Sequence, residues 1–227
     1  CHDPNLKGIQ LYTQEEADEV LIKAHNAGYN VTAHAVGDAA VEVVVTAIEK
    51  AIAQNPRPCR HRIEHCGLTD ENLLNRIAAA GIVPISNPGF FNENAEAYVK
   101  YYGDRVNSMF PLKSYRDKGI ITALGSDAPV IEADPMIGIY SAMVRADKRS
   151  GVVAGEDQKV GLLDAIRMYT YNGAYASLEE DIKGSIEPGK LADMAVLSED
   201  ILSTPTDRIK SIKVDMTILD GKIVFER

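Results

Sequence analysis

The chain has 227 residues, 45% of them hydrophobic and 25% charged, an ordinary globular composition with enough apolar material for a core. Its net charge of -9 argues against nucleic acid and against an anionic membrane as partner, because both favour a basic face. There is no run of about 18 apolar residues and no charged-then-apolar leader, so the sequence predicts a soluble, cytoplasmic protein whose ligand is a small neutral or polar molecule.

In chain order, Thr13 and Glu16 form a capping box, Ala17, Val20, Leu21 and Ala24 recur at helical spacing, and Gly28 fits the position just past a helix end. A short β-prone run, Tyr29 to Val36, leads through Gly37-Asp38 into a second helix reaching about Gln54, with Val41, Val44, Val45, Ile48 and Ile52 on its buried face. The unit then repeats. Arg60 to Cys66 reads as a strand, and Thr69-Asp70 caps a helix through Leu73, Leu74 and Ile77 to Gly81. Ile82 to Ser86 is a third strand, and Asn87 to Met109 reads as a long polar and aromatic loop. A short helix at Leu112 to Lys118 precedes a fourth strand, Ile120 to Asp127. Helices over Met136 to Ala146 and Leu162 to Ala176 flank a loop. The tail is β-like, with Asp220-Gly221 as a hairpin signal between strands. Alternating strands and amphipathic helices indicate four parallel βαβ units with a small β appendage.

Three cysteines, Cys1, Cys59 and Cys66, are an odd count without CxxC spacing, which predicts reduced thiols. Cys1 as an N-terminal nucleophile or lipid anchor gains no support from His2-Asp3-Pro4, and His2 has no assignable role.

His34, His65 and Asp127 each stand near the end of a separate strand. In a parallel sheet all three emerge at the same edge, where α/β folds keep their chemistry. Two imidazoles and a carboxylate suit Zn²⁺ or another divalent ion, and the carboxylate can also move a proton. Taken singly, a histidine at a strand end is more often a hydrogen-bonded structural residue, and an aspartate there a helix cap. His61 lies four residues before His65, and at about 3.3 Å per residue it is too far down the strand to share an ion. His25, on a helix, reads as a surface or packing residue. Arg62 and Glu64 alternate with Ile63 and His65 and should point beneath the helices, paired with other charges. Asn87 and Arg105 could face substrate, although a turn and a surface charge are the plainer readings.

Four motifs, HAVGDAA (34–40), HRIEHC (61–66), LGSDAP (124–129) and GSIEPGKLADMAVL (184–197), together resemble the amidohydrolase superfamily of metal-dependent hydrolases, and more closely its branch containing N-substituted formamide deformylases. The resemblance implies the C-terminal half of a (β/α)8 TIM-type barrel, strands five to eight within residues 1–180, followed by a β segment of a small sandwich domain over 181–227. It implies that His34, His65 and Asp127 bind a divalent metal, zinc above others, and that Asp127 shuttles a proton while metal-activated water cleaves an amide-like, non-peptide carbon–nitrogen bond in a small molecule. The family's His-x-His pair and its Lys or Glu ligand have no counterpart here. The expectation is therefore a part of a longer enzyme, inactive and weakly metal-binding alone, that associates with itself or with its missing N-terminal half. The alternative is a scaffold or assembly domain of the same family without catalysis.

Overall fold

The computed structural model describes residues 8–227, so Cys1 and His2 lie outside the described residues. The first helix, α1 (Gln14–Asn26), starts at the expected capping box: the Glu16 amide donates to the Thr13 hydroxyl at 3.2 Å, and the Thr13 amide donates to the Glu16 carboxylate at 2.8 Å. Gly28 follows with φ 91°, a left-handed conformation that glycine adopts without strain. Strand β1 (Thr32–Ala35) and helix α2 (Asp38–Gln54) come next, and α1 packs along α2. Val41, Val44, Val45 and Ile48 are buried as the periodicity requires, whereas Val20 of α1 is left exposed.

Strand β2 (Arg62–His65), helix α3 (Glu71–Ala79) and strand β3 (Val83–Ser86) repeat the unit, with Asp70 capping α3 by accepting from the Leu73 amide. The next stretch departs from the sequence expectation. Where a loop was predicted, α4 (Gly89–Tyr102) and a 3-10 turn (Gly103–Ser108) form. Phe91, Ala95, Tyr98 and Tyr102 share one helical face and carry α4, and edge-to-face contacts join Phe91 to Tyr98 and Tyr98 to Tyr102.

Helix α5 (Leu112–Asp117) leads to β4, whose ladder is limited to Ala123–Leu124. Side chains hold its approach instead: the Thr122 hydroxyl donates to the Pro84 carbonyl at 2.9 Å, and Asn172 donates to the Thr122 carbonyl at 2.8 Å. Helix α6 (Pro135–Val144) begins at the Asp134 cap. The single helix expected at 162–176 is two, α7 (Leu162–Tyr169) and α8 (Tyr171–Ala176), broken at Thr170, where φ is -114° and ψ is -91°. The tail forms an antiparallel sheet of β5 (Met194–Leu197), β6 (Val214–Leu219) and β7 (Lys222–Glu226), with a 3-10 turn (Thr206–Ser211) between β5 and β6. Asp220 and Gly221 both have positive φ, the geometry of a tight hairpin turn.

The first four strands form one parallel sheet in the order β1-β2-β3-β4. Ala35, Ile63 and Leu124 turn one face toward the helices and join the main core. Arg62 and Glu64, flanking Ile63, therefore point away from the helices, opposite to the sequence expectation. They are paired as expected, at 3.3 Å, and Glu64 also accepts from the Thr32 hydroxyl at 2.6 Å. Strict alternation from His65 would turn Arg62 and Glu64 beneath the helices, but His65 has φ 71° and breaks that alternation at the last residue of the strand. Among the described residues, no helix is long and apolar enough to cross a membrane.

Candidate active site at the strand ends

Parallel pairing brings the ends of β1 to β4 to one edge. His34 is the penultimate residue of β1 and pairs with Glu64, while Ala35 pairs with His65 at the end of β2. The imidazoles of His34 and His65 meet edge to face, 4.6 Å between ring centroids. His34 is exposed and His65 is buried. Phe90, from the first turn of α4, stacks beyond His65 at 6.2 Å.

The backbone here is unusual. His65, Cys66 and Asp127 have φ of 71°, 47° and 59°, in the left-handed region that costs a non-glycine residue about 1 kcal/mol or more. Surrounding contacts hold it in place. The Gly67 carbonyl accepts from the Phe110 amide at 3.0 Å, and the Tyr115 hydroxyl donates to the Cys66 carbonyl at 3.1 Å. A β-carbon at Gly67 would lie 2.7 Å from the Val36 carbonyl oxygen, so only glycine fits there. At Gly125 a β-carbon would meet only ordinary contacts, the nearest at 3.7 Å. Full burial pushes the Cys66 thiol up to about 12, which removes it as a nucleophile at neutral pH.

Asn87, just past β3, is buried. Its carbonyl oxygen lies 2.7 Å from His65 Nδ1, and its amide donates to the Gly125 carbonyl at 3.0 Å. Both ends of the carboxamide are thus engaged within the protein. Asp127 is exposed at the tip after β4, and its carbonyl accepts from the Val130 amide at 2.8 Å. Arg105 reaches from the 3-10 turn to Asp38 at 2.6 Å, placing this ion pair over the loop after β1. Both partners are well exposed, so the pair contributes no more than about 1 kcal/mol.

The wall beside Phe90 is pinned by Arg145, which is fully buried without a carboxylate partner among the described residues. It donates to the carbonyls of Met109, Phe110 and Ala154 and lies 3.9 Å over the Phe91 ring. Burial lowers its guanidinium to about 9, still charged at neutral pH.

The ligand atoms of His34, His65 and Asp127 do not form a compact trio. Among the described residues, the group of three with all ligand atoms within 4.8 Å is His25, Cys59 and His61, at the opposite end of the sheet. Both of these histidines are buried, and their hydrogen bonds fix their protons. The Val31 amide donates to His61 Nδ1 at 3.0 Å, which puts the His61 proton on Nε2. Nε2 then donates to His25 Nδ1 at 2.9 Å, and His25 Nε2 donates to the Asn55 carbonyl at 2.8 Å. No ring lone pair is left for a cation, so this cluster is a hydrogen-bonded staple between α1 and the start of β2. Periodicity alone does not reveal it, because the partners lie 36 residues apart.

Comparison with known proteins places this edge in a familiar setting. YtcJ of Bacillus subtilis (strain 168), an amidohydrolase by name, is 32% identical over 228 residues, 99% of this chain and 43% of its own length. An N-substituted formamide deformylase of Arthrobacter pascens is 30% identical over 97% of this chain and 41% of its own. The crystal structure of an uncharacterized metal-dependent hydrolase from Pyrococcus horikoshii superposes with a TM-score of 0.78 at 27% identity, covering 90% of this chain and 41% of that one. The chain thus spans about two-fifths of the length of the curated relatives it matches. The model of the Amidohydrolase family matches residues 1–225, which agrees with the sheet of parallel strands bearing histidines at their ends: the chain belongs to the amidohydrolase family.

Proposed function

We propose that this chain supplies part of the metal site and the proton-transfer group of a hydrolase acting on amide-like, non-peptide carbon–nitrogen bonds of small molecules. The observation that carries this reading is the meeting of His34 and His65 at 4.6 Å, with His65 hydrogen-bonded through Nδ1 so that Nε2 keeps its lone pair. Two imidazoles and a nearby exposed carboxylate suit a divalent ion, zinc by donor type, and His34, His65 and Asp127 would hold it. Such an ion supplies a Lewis acid and lowers the pKa of water.

In the reaction, Asp127 takes the proton of the attacking water and returns it to the departing nitrogen. His65, buried beside Phe90, keeps bulk water off one side of the reacting carbonyl. An open cavity of about 570 Å³ lined by Phe90, Tyr98 and Ile131 together with Glu93, Glu132 and Lys148 lies alongside and receives the substituent of the substrate. Four parallel strands in the order β1-β2-β3-β4 support a reading as half of a closed (β/α)8 barrel, and among the described residues β1 and β4 each pair on one side only. Further strands, from another segment or from another copy, would complete both the barrel and the ligand set.

A second reading, a non-catalytic assembly domain, is favoured by one observation: the three candidate ligands do not bring their donor atoms together. Amine release from N-substituted amides by the full-length protein separates the two. Activity lost in Asp127→Asn and His65→Ala supports the hydrolase, and unchanged activity in both variants overturns it.

A further inference from the structure

The carboxamide of Asn87 has only one orientation that satisfies both of its neighbours. The Gly125 carbonyl can only accept, so the atom 3.0 Å from it must be the donating Nδ2. Oδ1 then faces His65 Nδ1 at 2.7 Å, and because Oδ1 can only accept, Nδ1 must carry the proton. The bridge is buried, with Asn87 4% and His65 8% exposed, so water does not compete for either bond. Gly125 stands two residues before Asp127, and the Gly125 amide also donates to the Ser86 carbonyl at 3.0 Å. A single side chain just past β3 therefore ties the end of β2, which carries His65, to the segment after β4, which delivers Asp127.

We propose that Asn87 is a positioning residue that holds His65 in the Nδ1–H tautomer, keeps Nε2 as the free donor atom and couples the His65 and Asp127 strand ends. This rests on the reading of His65 as a metal ligand, and it replaces direct contact with substrate as the role of Asn87. Removing the bridge would let the His65 ring sample both tautomers and rotate, and loss of such an outer partner typically weakens a metal site by about 10- to 100-fold.

The test is ¹⁵N spectroscopy of the histidine rings in the metal-free chain, comparing wild type, Asn87→Leu and Asn87→Asp. Wild type should show His65 with its proton on Nδ1. Asn87→Leu should show averaging between the two ring nitrogens. Asn87→Asp keeps an acceptor and should retain the wild-type pattern even though its tie to Gly125 is gone. Because Asn87→Asp removes one bond and keeps the other, it stays informative should Asn87→Leu fail to fold. A wild-type proton on Nε2 overturns the inference, as does an Nδ1–H tautomer that persists in Asn87→Leu. Zinc titration of the wild type tests the underlying reading separately. Movement of the His65 Nε2 resonance supports His65 as a ligand, and no movement at saturating zinc overturns that reading while leaving the tautomer result intact.

Discussion

His34 and His65 come from different strands and different environments, one exposed and one buried, yet their rings meet edge to face with planes at 80°. The parallel register explains the proximity, since His34 sits opposite Glu64 and one residue short of the His65 level. The left-handed backbone at His65 supplies the rest, and Asp127 shares that backbone. Strain at candidate site residues yields the first expectation.

Asp127→Gly should abolish proton transfer yet leave the fold about as stable. Asp127 is exposed at φ 59°, and glycine adopts that conformation without the penalty of about 1 kcal/mol. Urea unfolding should give a midpoint close to wild type, because relief of the strained backbone offsets the greater freedom that glycine gives the unfolded chain. A loss of more than about 1 kcal/mol would show that the carboxylate stabilises the loop.

Gly67→Ala should act in the opposite sense. The added methyl group would meet the Val36 backbone oxygen at 2.7 Å, and backbone cannot swing aside as a flexible side chain can. A destabilisation of about 1–3 kcal/mol is expected, with displaced His65 resonances. Equal stability of variant and wild type would mean that the loop between β1 and α2 yields at little cost.

Acid should loosen the staple of His25 and His61. Burial first, and then the nearby His25 and Arg57, lower the His61 imidazole from 6.5 to about 4. The unfolded chain therefore takes up this proton before the folded one does. Stability is full above about pH 6.5 and declines as the pH falls toward 4, by roughly 3 kcal/mol at the bottom of that window. Urea midpoints at pH 7.5 and 5 measure this, and His61→Asn, which keeps an acceptor for the Val31 amide, should lose most of the dependence. Equal pH dependence in both proteins would assign the effect to other groups.

The sheet edges should drive association. Among the described residues β1 and β4 each lack a neighbour on one side, and Ile9 and Leu11, beside β1, are 90% and 81% exposed. Light scattering should report a mass above the 24.7 kDa of one chain. A monomer at moderate concentration would show that these edges are protected.

Much of the local structure was legible in advance. The Thr13–Glu16 box, the Asp70 cap, Gly28, Gly81 and the Asp220-Gly221 turn act through bonds or dihedrals within a few residues, which is the range a sequence pattern encodes. The aromatic helix α4 was not, because its asparagines and aromatics have weak helix propensity and tertiary packing, such as Phe91 against Phe110, stabilises it.

From the sequence alone came the alternation of strands and helices, and with it the delivery of His34, His65 and Asp127 to the ends of separate strands, since hydrophobic period and turn residues act locally. The tertiary structure decided which way those residues turn and what they meet. A left-handed residue at the end of β2 reversed the face expected of Arg62 and Glu64, and a hydrogen bond across 22 residues tied Asn87 to His65. Such outcomes depend on contacts between distant segments and on backbone angles that those contacts enforce, so no local pattern specifies them.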